Sequence, residues 1–407
     1  MFTNVYEEKK QYAPRLKTDT LIPCIGFSYN GIEDWYAKFI QKIQLKDKEM
    51  WALFVNQFRS NVDDEDLGWR GEYWGKMMRG ACITYCYTRD EELYQVLEET
   101  VLDLLSAQGE DGRFSTYSHE AEFNGWDMWG RKYILLGALH FCEICKDEAL
   151  KKKLLDAIMR HADYILEQIG EGKRSILKTS HYWGCVNSCS ILEPMMRLYN
   201  ETGEKRYFDF ATYIVSSGGC ETFNLFDTAY EDQLDPYEYP VIKAYEIMSC
   251  FEGMLEYYRV TGEEKYKETV IRFAKRVAAS EISIIGCAGS DHELFSNTVL
   301  RQTDTTYPNI LQETCVTVTW MKLCTQLLWL TGDIFYANEI EKSIYNALYG
   351  SVNTDGCITN GGLPFDSYSP LLAAKRGRQT GGLKFMEQGT YYGCCAAIGA
   401  AAVIGSL

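Results

Sequence analysis

The sequence lacks any run of apolar residues near the ~20 needed to cross a bilayer. Its first ten residues, Met-Phe-Thr-Asn-Val-Tyr-Glu-Glu-Lys-Lys, hold no apolar stretch of the secretory kind, so no signal peptide is expected. Positive charge is also in short supply. Lys and Arg number 41 against 57 Asp and Glu, a formal charge of −16. A phosphate backbone or an anionic lipid surface would be repelled, so neither nucleic acid nor a membrane is expected as a partner. Histidine is scarce at five residues, and no linker or low-complexity segment breaks the chain.

What is abundant is aromatic side chain and sulfur. Aromatics make up 14% of the residues, with 29 Tyr and 9 Trp. Rings with polar tips suit sugar-lined clefts, and they also fill helical cores. The fifteen cysteines are odd in number and mostly fall inside helical patterns. Without a secretory leader this points to reduced thiols and a cytoplasmic location. With 46% hydrophobic and 24% charged residues, the chain can bury a large core.

Residues 1–30 show no strong periodicity and read as a lead-in. From Gly31 the pattern is helical, with Trp35, Phe39, Ile40 and Ile43 on one face. A repeat follows. Asp90, Asp147, Glu204, Glu263 and Asp333 each sit in a short acidic turn, at steps of 57, 57, 59 and 70 residues. Each turn follows one apolar helix and opens an amphipathic one. In three copies a glycine fits the left-handed position after the first helix, and the acid suits the next helix N-terminus. With a weaker copy around Lys46–Met50, this makes about six helix pairs. The expected fold is all-α, an (α/α)6 toroid over residues 31–407 with long rim loops on one face. An open solenoid is the alternative, but its repeats are shorter, roughly 34–47 residues. No C-terminal β-sandwich is expected within these residues.

The inserts between pairs all precede the first helix of a pair, so they should gather on one face, where sites are built. Gly68–Lys76 carries Glu72 and Trp74. Asn124–Arg131 carries Trp126, Asp127 and Trp129. Lys178–Gly184 carries His181. Gly286–Phe295 carries His292 and Glu293, and Gly350–Gly393 is long and Gly-rich. A ring beside a carboxylate suits a sugar, and it equally suits a packed helix with a capped end. A rim glutamate such as Glu293 can act as a general acid/base. Lys375-Arg-Gly-Arg378 reads as a solvated loop.

The remaining chemistry lies in Glu313-Thr-Cys315 and, 79 residues on from Cys315, the adjacent pair Cys394 and Cys395. One carboxylate and three thiols can close a tetrahedral zinc site. The spacing is not that of a zinc finger or ribbon, which pairs cysteines as Cys-x-x-Cys. Small buried cysteines in packed helices would look the same.

The chain resembles glycoside hydrolase family 127 and its relatives, the β-L-arabinofuranosidase-type enzymes. The resemblance is carried by Trp69-Arg-Gly-Glu-Tyr-Trp-Gly-Lys76, Gly125-Trp-Asp-Met-Trp-Gly-Arg-Lys-Tyr133, Glu313-Thr-Cys315, Ile344-Tyr-Asn-Ala-Leu348 and Cys394-Cys395. It implies a zinc ion (Zn2+) on Glu313, Cys315, Cys394 and Cys395. It further implies Cys394 as nucleophile and Glu293 as acid/base of a retaining glycosidase. Glu72, Trp74, Trp126, Asp127, His181 and Tyr392 are then the candidate substrate-binding residues, for an oligosaccharide or other glycoside. Homo-oligomerisation stays open. Two other readings keep the toroid: a non-catalytic carbohydrate-binding relative, and a zinc protein that activates a substrate thiol. The latter type needs a histidine near the cysteines, and neither Cys315 nor Cys394 has one in the sequence around it.

Overall fold

A computed structural model of the protein describes residues 19–20, 28, 30–304, 306, 311–352, 383–386 and 390–405. The lead-in lies almost wholly outside these residues, and the Lys375–Arg378 run entirely so. Thirteen principal helices follow one another: α1 (Ile32–Ile40), α2 (Lys48–Asn56), α3 (Tyr73–Thr88), α4 (Glu91–Ser106), α5 (Asp127–Ile144), α6 (Glu148–Gln168), α7 (Leu192–Thr202), α8 (Lys205–Ser216), α9 (Ala244–Thr261), α10 (Glu264–Ser280), α11 (Thr314–Thr331), α12 (Ile334–Lys342) and α13 (Cys394–Gly405).

The acidic turns work as their sequence suggests, with differences in detail. Asp90, Asp147 and Asp333 cap α4, α6 and α12 through their side chains, accepting from Leu93 N, from Ala149 N and Leu150 N, and from Phe335 N. Glu204 and Glu263 hold the same backbone position but make no side-chain cap bond. The longer glutamate arm is a poorer N-cap than aspartate. Gly203, Gly262 and Gly332 end α7, α9 and α11 at φ 74°, 70° and 68°, where a Cβ would be strained.

Odd-numbered helices from α3 to α13 form an inner ring. α3 packs on α5, α5 on α7, α7 on α9, α9 on α11, α11 on α13, and α13 back on α3. This is a closed (α/α)6 toroid. The ring closes between α13 and α3. The sixth inner helix is the C-terminal α13, while α1 and α2 stand at the start of the sequence, and α1 contacts α13. The inner helices are buried nearly all round, charged residues such as Lys76, Arg131 and Glu252 included, as expected for elements packed on both sides. α3 needs glycines to fit between its neighbours. A Cβ added at Gly75 would overlap the Tyr133 carbonyl of α5, and one at Gly80 would overlap the Ala401 backbone of α13.

Short strands finish the rim. β1 (Asp291–His292) pairs in parallel with β2 (Leu311–Gln312), with His292 opposite Gln312. That register carries the next residues, Glu293 and Glu313, to the same place. β3 (Leu383–Met386) and β4 (Thr390–Gly393) form an antiparallel pair that leads straight into α13. Among the described residues no helix is long and apolar enough to cross a membrane.

Candidate active site

The N-terminal ends of the inner helices converge on one cavity of about 420 Å³. Glu72 and Lys76 reach it from the start of α3, and Trp126 and Trp129 from the start of α5. Tyr245 and Glu246 come from the first turn of α9, Glu313 from the N-cap of α11, and Cys394 from the first residue of α13. Trp183, from the insert before α7, completes the circle.

At the floor, Glu313, Cys315, Cys394 and Cys395 are all buried, and their ligand atoms lie within 4.8 Å of one another. Cys315 Sγ is 3.2 Å from Cys395 Sγ. Glu313 Oε1 is 3.5 Å from Cys394 Sγ and 3.4 Å from Cys395 Sγ. A tetrahedral zinc with bonds of about 2.3 Å to sulfur and about 2.1 Å to oxygen sets ligand-to-ligand edges of about 3.5–3.8 Å. The three donor separations, 3.2, 3.5 and 3.4 Å, lie near those edges. Glu313 Oε2 is buried without a hydrogen-bond partner, and Glu313 makes no cap bond to its own helix. Burial pushes the Glu313 carboxyl well above its usual range, and the Cys394 sulfur adds to this. Burial likewise raises the Cys315 and Cys395 thiols. Converging acidic groups, three of them disfavoured as anions by burial, are what a bound divalent cation stabilises. The residues therefore fit zinc in number, type and spacing.

The walls hold two lysine–glutamate pairs. Lys76 Nζ lies 2.8 Å from Glu72 Oε1, both side chains being buried. Trp129 Nε1 donates to Glu72 Oε2. Burial pushes the Glu72 carboxyl up to about 7, even against the pull of Lys76. Lys76 also sits 4.7 Å from the Tyr245 ring centroid, so it is held by an anion and by aromatic faces together. On the other wall Lys243 pairs with Glu293 and lies 3.9 Å from Glu246. The Glu293 carbonyl accepts from Ala244 N at 2.8 Å, which ties its loop to the start of α9.

The structure brings together Glu72, Trp126, Glu293, Glu313 and Cys394 of the residues singled out from sequence. It places four others elsewhere. Trp74 is fully buried, with its indole N–H on Thr100 Oγ1 and its ring against Trp51. One residue of helix separates it from Glu72 by half a turn. Asp127 is buried in an ion pair with Arg131 and accepts from Ser115 and Phe123 N, so it anchors its insert. His181 is exposed and bonded to Asn124. Tyr392 turns into the core between Phe54 and Tyr73, its hydroxyl accepting from Gln44. Lys76, Lys243, Tyr245, Glu246 and Trp183 went unmarked as site residues in the sequence. The signal was their shared position, at or just before the start of an inner helix.

A family model for the GH127 catalytic domain, described as β-L-arabinofuranosidase, matches residues 32–403. The chain belongs to the GH127 family. The non-reducing end β-L-arabinofuranosidase of Bifidobacterium longum subsp. longum is 22% identical to this GH127 chain over 317 residues, covering 69% of the chain and 46% of that protein. Two solved structures share its fold. One is a GH127 β-L-arabinofuranosidase from Geobacillus stearothermophilus T6, at TM-score 0.66 and 18% identity, covering 94% of this chain and 65% of that one. The other is a GH127 β-arabinofuranosidase at TM-score 0.64 and 17% identity, covering 93% and 60%. The GH127 chain thus spans about half to two thirds of the length of these relatives.

Proposed function

We propose that this GH127 chain is a retaining glycoside hydrolase that cleaves β-L-arabinofuranosides or closely related glycosides. The convergence of Glu313, Cys315, Cys394 and Cys395 at the floor of a tryptophan-walled cavity carries this reading. Those four residues would hold a zinc ion, which when bound would supply a thiolate at neutral pH. Cys394 is the nucleophile, since it is the member of the cluster's cysteines that lines the cavity. Its sulfur attacks the anomeric carbon while Glu293 gives a proton to the departing oxygen. The sugar is then bonded to Cys394 Sγ. Glu293, now a carboxylate, takes a proton from water, and that water displaces the sulfur. Two inversions restore the starting configuration. Lys243, beside Glu293, stabilises the carboxylate that remains once the proton has left. Water is kept scarce by the indoles of Trp69, Trp126 and Trp129.

A reducing, cytoplasmic setting, in which thiols stay free, is part of this proposal. Elemental analysis followed by a screen on aryl glycosides tests the proposal. One zinc per chain and cleavage of an aryl β-L-arabinofuranoside are expected. A protein that neither holds nor gains stability from zinc, and cleaves no aryl glycoside, would reject it.

A further inference from the structure

Trp183 is an outlier in its backbone and in its exposure. It has φ 50°, and the next two residues continue in the left-handed region, Gly184 at 58° and Cys185 at 64°. A bulky residue rarely adopts this conformation, because Cβ crowds its own carbonyl. The surroundings impose it. Cys185 N donates to Tyr182 O at 3.0 Å, Glu221 N donates to Gly184 O at 2.8 Å, and Cys185 Sγ donates to Ser180 O at 2.9 Å. Gly184 is pressed so closely on Cys220 Sγ that a Cβ would not fit. Such strain persists where it serves a placement. Here it places a large indole on the cavity wall.

The other tryptophans of the cavity already have partners on their rings; half-buried Trp69 meets Trp126 edge-on and has Lys384 over its ring. Trp126 stacks on Tyr182, with centroids 6.0 Å apart, and it and Trp129 are buried. Trp183 keeps 38% of its surface exposed. Lys243 lies 5.5 Å from its ring centroid, and among the described residues no other ring rests on it. Lys243 is also the partner of Glu293. Trp183 therefore stands at the open side of the cavity, one lysine away from the residue that protonates the leaving oxygen, while Cys394 lies at the buried floor.

From this placement we infer that Trp183 is the stacking platform for the leaving group, and that the leaving group is itself a sugar ring. The inference rests on the glycosidase reading above. A sugar bonded over Cys394 directs its glycosidic oxygen to Glu293, and whatever lies beyond that oxygen passes Trp183 on the way to solvent. The apolar face of a pyranose or furanose covers an indole well, whereas a methyl group leaves it bare.

The test compares wild type, Trp183→Ala and Trp183→Phe on two probes, methyl β-L-arabinofuranoside and a β-L-arabinofuranosyl disaccharide. In Trp183→Ala, KM for the disaccharide should rise about tenfold, which corresponds to the loss of one stacking contact. The loss on the methyl glycoside should be several-fold smaller than that on the disaccharide. Trp183→Phe should recover most of the disaccharide KM, which a merely structural role for the indole does not require. Equal losses on both probes, or none on either, would overturn the platform while leaving the glycosidase reading intact. A wild type that cleaves neither probe would overturn both. Because Ala and Phe at this position meet the same left-handed backbone, a melting temperature near wild type for both variants is the expected control. If only Trp183→Phe folds, an unchanged disaccharide-to-methyl preference in it supports the platform, and a preference lost equally with Phe counts against it.

Discussion

Two groups of buried cysteines in this molecule differ in almost nothing but their neighbours. Cys189 and Cys250 are fully buried between the insert before α7 and the middle of α9. Cys250 Sγ donates to Val186 O at 3.3 Å. Burial raises both thiols, and they serve as small apolar fillers with a satisfied or weak donor. Cys315 and Cys395 are buried too, and burial raises their thiols as well. Their surroundings differ by one carboxylate and a third thiol within 4.8 Å, and by their position at helix N-termini that open on a cavity. Burial therefore does not mark a functional cysteine. Convergence with other donors does.

The carboxylates repeat the contrast. Glu281 is buried, but its two oxygens accept from Ser296 N, Asn297 N and Thr298, so its charge is absorbed by a loop. Glu293 lines the cavity and its carboxylate meets only Lys243 among the described hydrogen bonds. One holds a turn, and the other faces the cavity, where the proposed acid/base role would put it.

The largest expected effect comes from the cavity-facing member of the sulfur cluster. Cys394→Ser should lower kcat/KM by about 10⁴-fold or more for every leaving group, because a serine hydroxyl is a far weaker nucleophile than a zinc-bound thiolate. Cys250→Ser should leave kcat/KM within a few-fold. Similar losses in both would erase the distinction between the two cysteine groups.

Glu293→Gln comes next. Loss of the proton donor should slow a natural glycoside by about 10²–10⁴-fold, and an activated aryl glycoside much less in its first step. Hydrolysis of the sugar on Cys394 would then lag, and intact-protein mass spectrometry should find it as an adduct. An adduct on a carboxylate would remove Cys394 from the nucleophile role. Glu281→Gln should instead lower the melting temperature and leave the leaving-group preference untouched.

The metal gives a smaller but cleaner contrast. Cys315→Ala should lose the copurifying zinc and destabilise the protein by on the order of 3 kcal/mol, since three remaining ligands hold it poorly. Cys250→Ala should keep the zinc and cost only about 1 kcal/mol of packing. Elemental analysis alongside thermal melts reads both.

The smallest effect belongs to the packing side of the molecule. His161 is fully buried, accepts from Phe114 N at 3.0 Å, and burial holds its imidazole well below its ordinary value of 6.5. The unfolded chain binds a proton there below pH 6.5 while the folded chain does not, so stability contributed by neutral His161 is present above 6.5 and lost as pH falls. The slope reaches about 1.4 kcal/mol per pH unit. His161→Gln keeps an acceptor without the titration, and urea midpoints at pH 7 and 5.5 should differ less in it than in wild type.

The repeat of acidic turns, the helical periodicity and the Glu313, Cys315, Cys394, Cys395 set were all legible in the chain, because each is local or rests on residue type. Caps and glycines act within one turn, and donor chemistry belongs to the side chain itself. Which neighbours of a motif enter the cavity was not legible. Trp74 and Asp127 sit in the same motifs as Glu72 and Trp126, yet a helix turns successive residues by about 100°, so one points to the cavity and the next to the core. Lys243 and Trp183 became site residues only through contacts over distance, Lys243 with a glutamate 50 positions on and Trp183 through a strained turn held from Glu221. By itself the sequence determined that six helix pairs form and which four residues could hold a metal. The tertiary structure decided that α11 packs on α13, which brings positions 315 and 394 together, and that α13 closes on α3, which brings Glu72 to the same cavity. Ring closure is a global packing outcome, and no local rule encodes it.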